Sequence, residues 1–373
     1  MIGIGIGPDE FSRPSGIYLL SHSVGLAPRT ALGRLEEDYF DAWMHDPEQA
    51  WPRWLAEIEE FRAALARLLN HRAKCFCPQA NVSSATTKIL QALPRRTGSS
   101  TILLTEEAFP SIGFVVGRAT DADNAVRFIG RDEDAQDPAV WATHMTPGVG
   151  LVVITHVHSN GGQRLPVNEI VALARERSIV SIVDIAQSVG VVPIDLAEWN
   201  ADFVVGSSVK WLCGGPGAGF LWVNPEMLPR CEPMDVGWFS HADPFELDIH
   251  RFRFADDALR FWGGTPSVLP FVVARRSIEL LDGIGIEAIR AHNVALSDRL
   301  VASVDDGWLV TDRDPSRRGG TVVLDPGDRT QHVVQELRDG GAQFDSRAAG
   351  IRLSPHIYNT ADEVDAVAAL LML

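Results

Sequence analysis

The feature that most constrains this chain is a series of short apolar runs spaced by helical patterns. TILLT (101–105), GLVVIT (150–155) and IVSIVD (179–184) are rich in branched residues, and ADFVVGS (201–207) and AGFLWV (218–223) continue the series. NEIVALARER (168–177), read as a helix opened by an Asn168 cap, lies between two of them. Parallel strands need a crossover connection, so strand, helix, strand at this interval predicts an α/β fold with a mostly parallel, doubly wound sheet. Upstream, PEQAWPRWLAEIEEFRAALARLLN (47–70) carries Trp54, Ile58, Phe61, Leu65 and Leu68-Leu69 at helical spacing. From about Pro266 the texture changes. Two helical patterns (268–283 and 286–302) lead to TVVLD (321–325), a helix near 330–339, the strand IRLS (351–354) and a last helix. The expected organisation is a large domain over 55–265, with 1–54 and 266–373 forming a smaller one.

Charge and composition narrow the partners. The net charge is −16, from 49 acidic against 33 basic residues, a field that repels nucleic acid and anionic lipid. The short basic groups Arg95-Arg96 and Arg317-Arg318 read as solvated faces. No apolar run approaches the ~18 residues of a membrane span, and the start MIGIGIGPDEF lacks the cationic region of a secretory signal. The expectation is a cytoplasmic protein with a small-molecule partner, no nucleic acid and no membrane. Cys75, Cys77, Cys213 and Cys231 are too few for a disulfide framework and read as small buried hydrophobes. His156 and His158 form an H-x-H without a carboxylate or third ligand nearby, so no metal is expected.

Within SSVKWLCGGPGAGFLWV (207–223), Lys210 is the sole charged residue between Asp202 and Glu226. An ammonium removed from water is costly unless it is paired, neutralised or chemically used. Asp184 ends an apolar strand, where open α/β sheets place ligand sites, and Gln187 follows it closely. An acid at one strand end and an isolated lysine at the next suit pyridoxal 5'-phosphate. The lysine forms the Schiff base, and the aspartate keeps the pyridine nitrogen protonated. The plainer reading is a lysine snorkelling from a strand end and an aspartate capping a helix. Ser83 and Ser84 in NVSSATTKIL (81–90) sit where a loop enters a helix, a place that suits a phosphate.

DIAQSVG (184–190) followed by SSVKWLCGGPGAGF (207–220) resembles class V aminotransferases, the fold-type-I pyridoxal phosphate enzymes that include cysteine desulfurases, epimerase-like proteins and kynureninases. GWFSHADPFELD (237–248) and ALRFWGGTPSVLPF (258–271) are similar to the kynureninase members. GIRLSPHIYNT (350–360) resembles the family's arginine strand, and IYLLSHSVGLAP (17–28) its opening segment. The resemblance implies fold type I, with a seven-stranded, mostly parallel sheet in the large domain and a smaller C-terminal αβ domain. It implies that Lys210 is the catalytic Schiff-base lysine, that Asp184 partners the pyridine nitrogen and that Gln187 bonds the phenolic oxygen. By the same resemblance Phe109 stacks on the cofactor, and Ser83, Ser84 and Ser207 hold its phosphate. Thr265 would reach the phosphate of a neighbouring subunit, implying a homodimer with shared active sites. Arg352 would grip the substrate α-carboxylate, Asn160 would lie near the substrate, and Trp238 and His241 would line its aromatic end.

Two positions depart from the kynureninase pattern. Val209 stands where those enzymes carry tyrosine and Gln187 where they carry histidine, with Ser207 and Ser208 available to fill the phosphate grip. The expected activity is kynureninase-like hydrolytic Cβ–Cγ cleavage of an L-amino acid. A cysteine desulfurase, a carbon–sulfur lyase, an aminotransferase or epimerase, and a non-catalytic binder stay open.

Overall fold

The apolar runs become the interior of a seven-stranded sheet. In the computed structural model, which describes residues 8–94, 101–119 and 126–372, the strand order is Phe76–Gln79, Gly219–Val223, Phe203–Ser207, Val180–Asp184, Val149–Thr155, Thr101–Thr105 and Val126–Ile129. Gly219–Val223 runs antiparallel to both its neighbours and the rest run parallel. The central strands are apolar throughout because helices cover both faces; every residue of Val149–Thr155 is buried. Phe76–Gln79 and Val126–Ile129 have weaker sequence signatures. The first holds Pro78, which an edge strand tolerates, and the second is four residues long with Arg127 inside it.

The helix Ala50–Leu68 buries Ile58, Phe61 and Leu65, the stripe its spacing predicts. It packs on Leu269–Ile284, where the rings of Phe61 and Phe271 lie 4.9 Å apart, edge to face. Leu269–Ile284 buries Phe271, Val272, Ala274, Ile278 and Leu281 in the core of the large sheet. One cap differs from expectation. The helix is Val167–Glu176, with Pro166 at the cap position and Asn168 already inside the first turn. Proline has no N–H to leave unsatisfied at a helix start, so the helix begins earlier than the asparagine.

A second core lies in the C-terminal part. Asp345–Arg347, Gly350–Leu353 and Val322–Leu324 form an antiparallel sheet in that order. Leu296, Leu300, Val333, Leu337, Val364 and Val367 from three helices cover it. Leu19 joins this core, and Ile17–Tyr18 pairs in parallel with Ala342–Gln343, so the opening segment is sewn into the C-terminal unit. Arg317 keeps to the surface, but Arg318 is fully buried and corrects the reading of that pair as a solvated face. Its guanidinium meets Asp298 and the carbonyls of Asp312 and Arg313. Arg95-Arg96 lies outside the described residues. All four cysteines are free and buried. Among the described residues no helix is long and apolar enough to cross a membrane.

Candidate active site

Three neighbouring parallel strands end at one wall. Thr155 is the register partner of Asp184, Asp184 that of Val205, and Ser207 closes the next strand. Together with Lys210, Gln187, Phe109 and the helix start at Ser83, these strand ends enclose a cavity of about 240 Å³. The topology places it at the carboxyl ends of the strands, as expected for an open α/β sheet.

Asp184 is buried, and its Oδ1 accepts the Ala186 amide at 2.9 Å. Burial raises its pKa, while that amide and the charge of Lys210 pull the other way. Burial likewise pushes Lys210 down to about 8; Asp184 opposes the shift, and Arg352 and Arg347 reinforce it. The Lys210 Nζ stands 5.4 Å from the centre of the Phe109 ring. A lysine so placed is far more often a neutral amine near neutral pH than one in water.

The turn that carries Lys210 is held from outside. The Gly25 amide donates to the Val209 carbonyl at 2.8 Å. A Cβ at residue 25 would fall 2.1 Å from the Lys210 carbonyl oxygen, so only glycine fits. Gln187 ties the same segment: its Nε2 donates to the His22 carbonyl at 3.1 Å, and its Oε1 accepts Trp211 Nε1 at 3.2 Å. One amide N–H of Gln187 remains for a ligand.

The remaining predicted residues fall into three groups. Ser83 and Ser207 line the cavity. Ser84 does not; its amide is taken by the cap, donating to Asn81 Oδ1 at 2.9 Å. Ser208 is fully buried off the cavity wall, its hydroxyl without a partner among the described residues, so it does not fill the grip left by Val209. Arg352 is buried behind the wall and donates to the Ser159 carbonyl at 2.8 Å. Asn160 turns away, with Nδ2 donating to Glu107 at 3.2 Å, and Ser159 takes the place at the cavity.

Thr265, Trp238 and His241 stand apart from this cavity. Thr265 is exposed. Trp238 packs among Trp51, Phe239 and Phe245, and the ring nitrogens of His241 meet the carbonyls of Asp243 and Arg251 at 2.7 and 2.6 Å. His156 and His158 are buried; Nδ1 of His156 meets Ser188 Oγ at 2.9 Å and Nε2 of His158 meets Thr105 Oγ1 at 3.2 Å. Burial pushes the His158 ring down to about 4.

Sequence reasoning missed Thr155, Ser159, His22 and Asp345. Thr155 had a usable signal, since it ends the strand beside the one that ends in Asp184. Asp345 had none, because its role appears only when its strand folds back beside Gly350–Leu353.

Fold and cavity define a fold-type-I α/β enzyme with a cofactor site at the strand ends. A family model for class-V aminotransferases matches residues 17–367, and the chain belongs to that family. It is 33% identical to a kynureninase of Deinococcus radiodurans over 92% of this chain and 85% of that one. It is 27% identical to a kynureninase of Pseudomonas fluorescens over 97% of this chain and 90% of that one. Among solved structures, the cystine C-S lyase C-DES in complex with its product cysteine persulfide aligns with a TM-score of 0.86 at 24% identity, covering 96% of this chain and 97% of that one. A cysteine desulfurase from Thermococcus onnurineus aligns with a TM-score of 0.83 at 20% identity, covering 96% and 94%. These structural likenesses establish the fold.

The enzyme is pyridoxal phosphate-dependent, and its cavity fits the cofactor. A helix N-terminus with Ser83 offers a phosphate seat, Phe109 offers a ring face, and Lys210 and Asp184 share the enclosure. Thr155 Oγ1 and Ser159 Oγ are buried at the cavity with no hydrogen-bond partner among the described residues. Buried hydroxyls without partners are uncommon and expensive, and a polar ligand satisfies them.

Proposed function

We propose that this enzyme hydrolyses the Cβ–Cγ bond of an L-amino acid of the kynurenine type, releasing L-alanine and an aromatic acid. The observation that carries the reading is its 33% identity to a kynureninase over 92% of the chain, because the fold alone is shared with carbon–sulfur enzymes.

Bound pyridoxal phosphate supplies an electron sink that stabilises negative charge at the substrate α-carbon. Lys210 would be the general base and acid at that carbon; its pKa of about 8 suits both roles. Asp184 keeps a proton on the ring nitrogen by Coulombic attraction inside a buried site. Phe109 would cover one ring face, and the free N–H of Gln187 would serve the phenolic oxygen. Ser83, Ser207 and the helix N-terminus at Val82–Ala92 hold the phosphate. Arg352 grips the α-carboxylate through a bidentate pair.

The reading includes a homodimer. Phe245, Leu247, Ile249 and Phe252 are exposed on the segment that also carries Trp238 and His241, an apolar face that a second copy would cover. Trp238, His241 and Thr265 would then serve the partner's site. Four free thiols suit a reducing, cytoplasmic setting.

Carbon–sulfur β-elimination is the second reading, favoured by Gln187 and Val209 where kynureninases carry histidine and tyrosine. A desulfurase that works through its own thiol is disfavoured. None of the four cysteines lines the cavity, and burial pushes Cys77 up to about 12 and Cys231 up to about 11. Product analysis with L-kynurenine and L-cystine side by side tests the choice. Alanine with anthranilate supports the first reading; pyruvate with sulfur release, and no anthranilate, replaces it with the second.

A further inference from the structure

The contacts of Arg352 use three of the N–H groups of its guanidinium. Nε donates to Asp345 Oδ1 at 2.6 Å, Nη2 donates to Asp345 Oδ2, and Nη1 donates to the Ser159 carbonyl at 2.8 Å. A guanidinium carries five N–H groups. These three bonds leave one N–H on each of Nη1 and Nη2, the number that a bidentate carboxylate pair requires.

Asp345 lies directly across the antiparallel ladder from Arg352 and is itself held. Its Oδ1 meets His22 Nε2 at 3.1 Å, and His22 Nδ1 meets Ser354 Oγ at 2.6 Å. Ser354 in turn meets Thr321 Oγ1 at 2.8 Å. The carbonyl of His22 receives Gln187 Nε2 on the cavity side. One residue of the opening segment thus touches both the cofactor end of the site and the arginine's partner.

We propose that Asp345 is a positioning residue for substrate recognition: it takes the side edge of Arg352 and so aims the end pair of N–H groups at the α-carboxylate of an amino acid, with His22 holding Asp345 in place. This rests on the reading of Arg352 as the carboxylate grip. A carboxylate that merely occupied the guanidinium would instead compete with substrate, and its removal would tighten binding.

The test is titration of the cofactor-loaded protein with L-alanine and with L-alaninamide, followed by the change in cofactor absorbance. The two ligands share an amine and differ in the carboxylate. In Asp345→Asn, L-alanine binds about tenfold or more weakly, as expected for loosening a charge-assisted pair, while L-alaninamide binds as before. In Arg352→Gln the preference for L-alanine disappears. His22→Ala gives a smaller loss in the same direction and decides the matter if Asp345→Asn does not load cofactor. An undiminished preference for L-alanine in Asp345→Asn, or in His22→Ala where that variant decides, overturns the positioning role. Undiminished preference in Arg352→Gln overturns the reading of the arginine beneath it.

Discussion

The Nζ of Lys210 stands 5.4 Å from the centre of the Phe109 ring, in a cavity whose burial lowers the amine to about 8. A ring face compensates a cation by only ~0.5–2 kcal/mol, less than the hydration it replaces. The lysine is therefore poised to lose its proton and act as a nucleophile.

Cofactor uptake should depend on pH. Burial disfavours the ammonium, so the neutral amine is scarce below about 8 and predominant above it. The rate at which cofactor-free protein takes up pyridoxal phosphate should rise about tenfold per pH unit on the acid side, as the neutral fraction does, and level off near 8. Rapid-mixing absorbance measures it. A rate still climbing tenfold per unit between about pH 8.5 and 10 would indicate an ordinary lysine, whose pKa is ~10.4.

Lys210→Ala removes the amine without filling the cavity. Borohydride treatment of the wild type should fix the cofactor on the peptide that carries Lys210, as seen by mass spectrometry. The variant should show no fixed cofactor; attachment to any other lysine in the wild type would reassign the nucleophile.

Asp184→Asn keeps the shape and the Ala186 contact but removes the charge. Loss of one preorganised electrostatic partner in a buried site costs ~10²–10³ in turnover, and that is the expected fall in kcat. Turnover within about tenfold of wild type would show that Asp184 does not act on the ring nitrogen.

Gly25→Ala places a methyl 2.1 Å from the Lys210 carbonyl oxygen and 2.7 Å from Cys213 Sγ. Overpacking of this kind costs ~1–3 kcal/mol, and it should also weaken cofactor retention because the lysine turn must shift. Thermal unfolding with and without cofactor reads both effects. Gly33→Ala is the control: its Cβ meets nothing within 4 Å, and it lies in the helix Ala31–Leu35. There the change should be neutral or stabilising by up to ~1 kcal/mol. Equal behaviour of the two variants would contradict the role given to Gly25.

The sheet was legible because its inner strands are buried on both faces, which forces continuous apolar runs such as GLVVIT and IVSIVD. Lys210 and Asp184 were legible for the same reason, since charge stands out at the end of an apolar run. Phe76–Gln79 was hidden by its edge position, which tolerates proline. Arg318 misled because a sequence does not show which carbonyls will satisfy a guanidinium. Asn160 and Ser159 are adjacent, and only the path of the loop after Thr155 decides which one meets the cavity. Trp238, His241 and Thr265 do not line this chain's own cavity, which a match of motifs does not reveal.

The most direct test of Cβ–Cγ hydrolysis is anthranilate release from L-kynurenine by the cofactor-loaded enzyme, followed by fluorescence with Lys210→Ala as the blank. The wild type should release anthranilate steadily with an equal amount of L-alanine, and the variant none above background. A wild type that carries lysine-bound cofactor and binds L-alanine, yet releases no anthranilate, would contradict it.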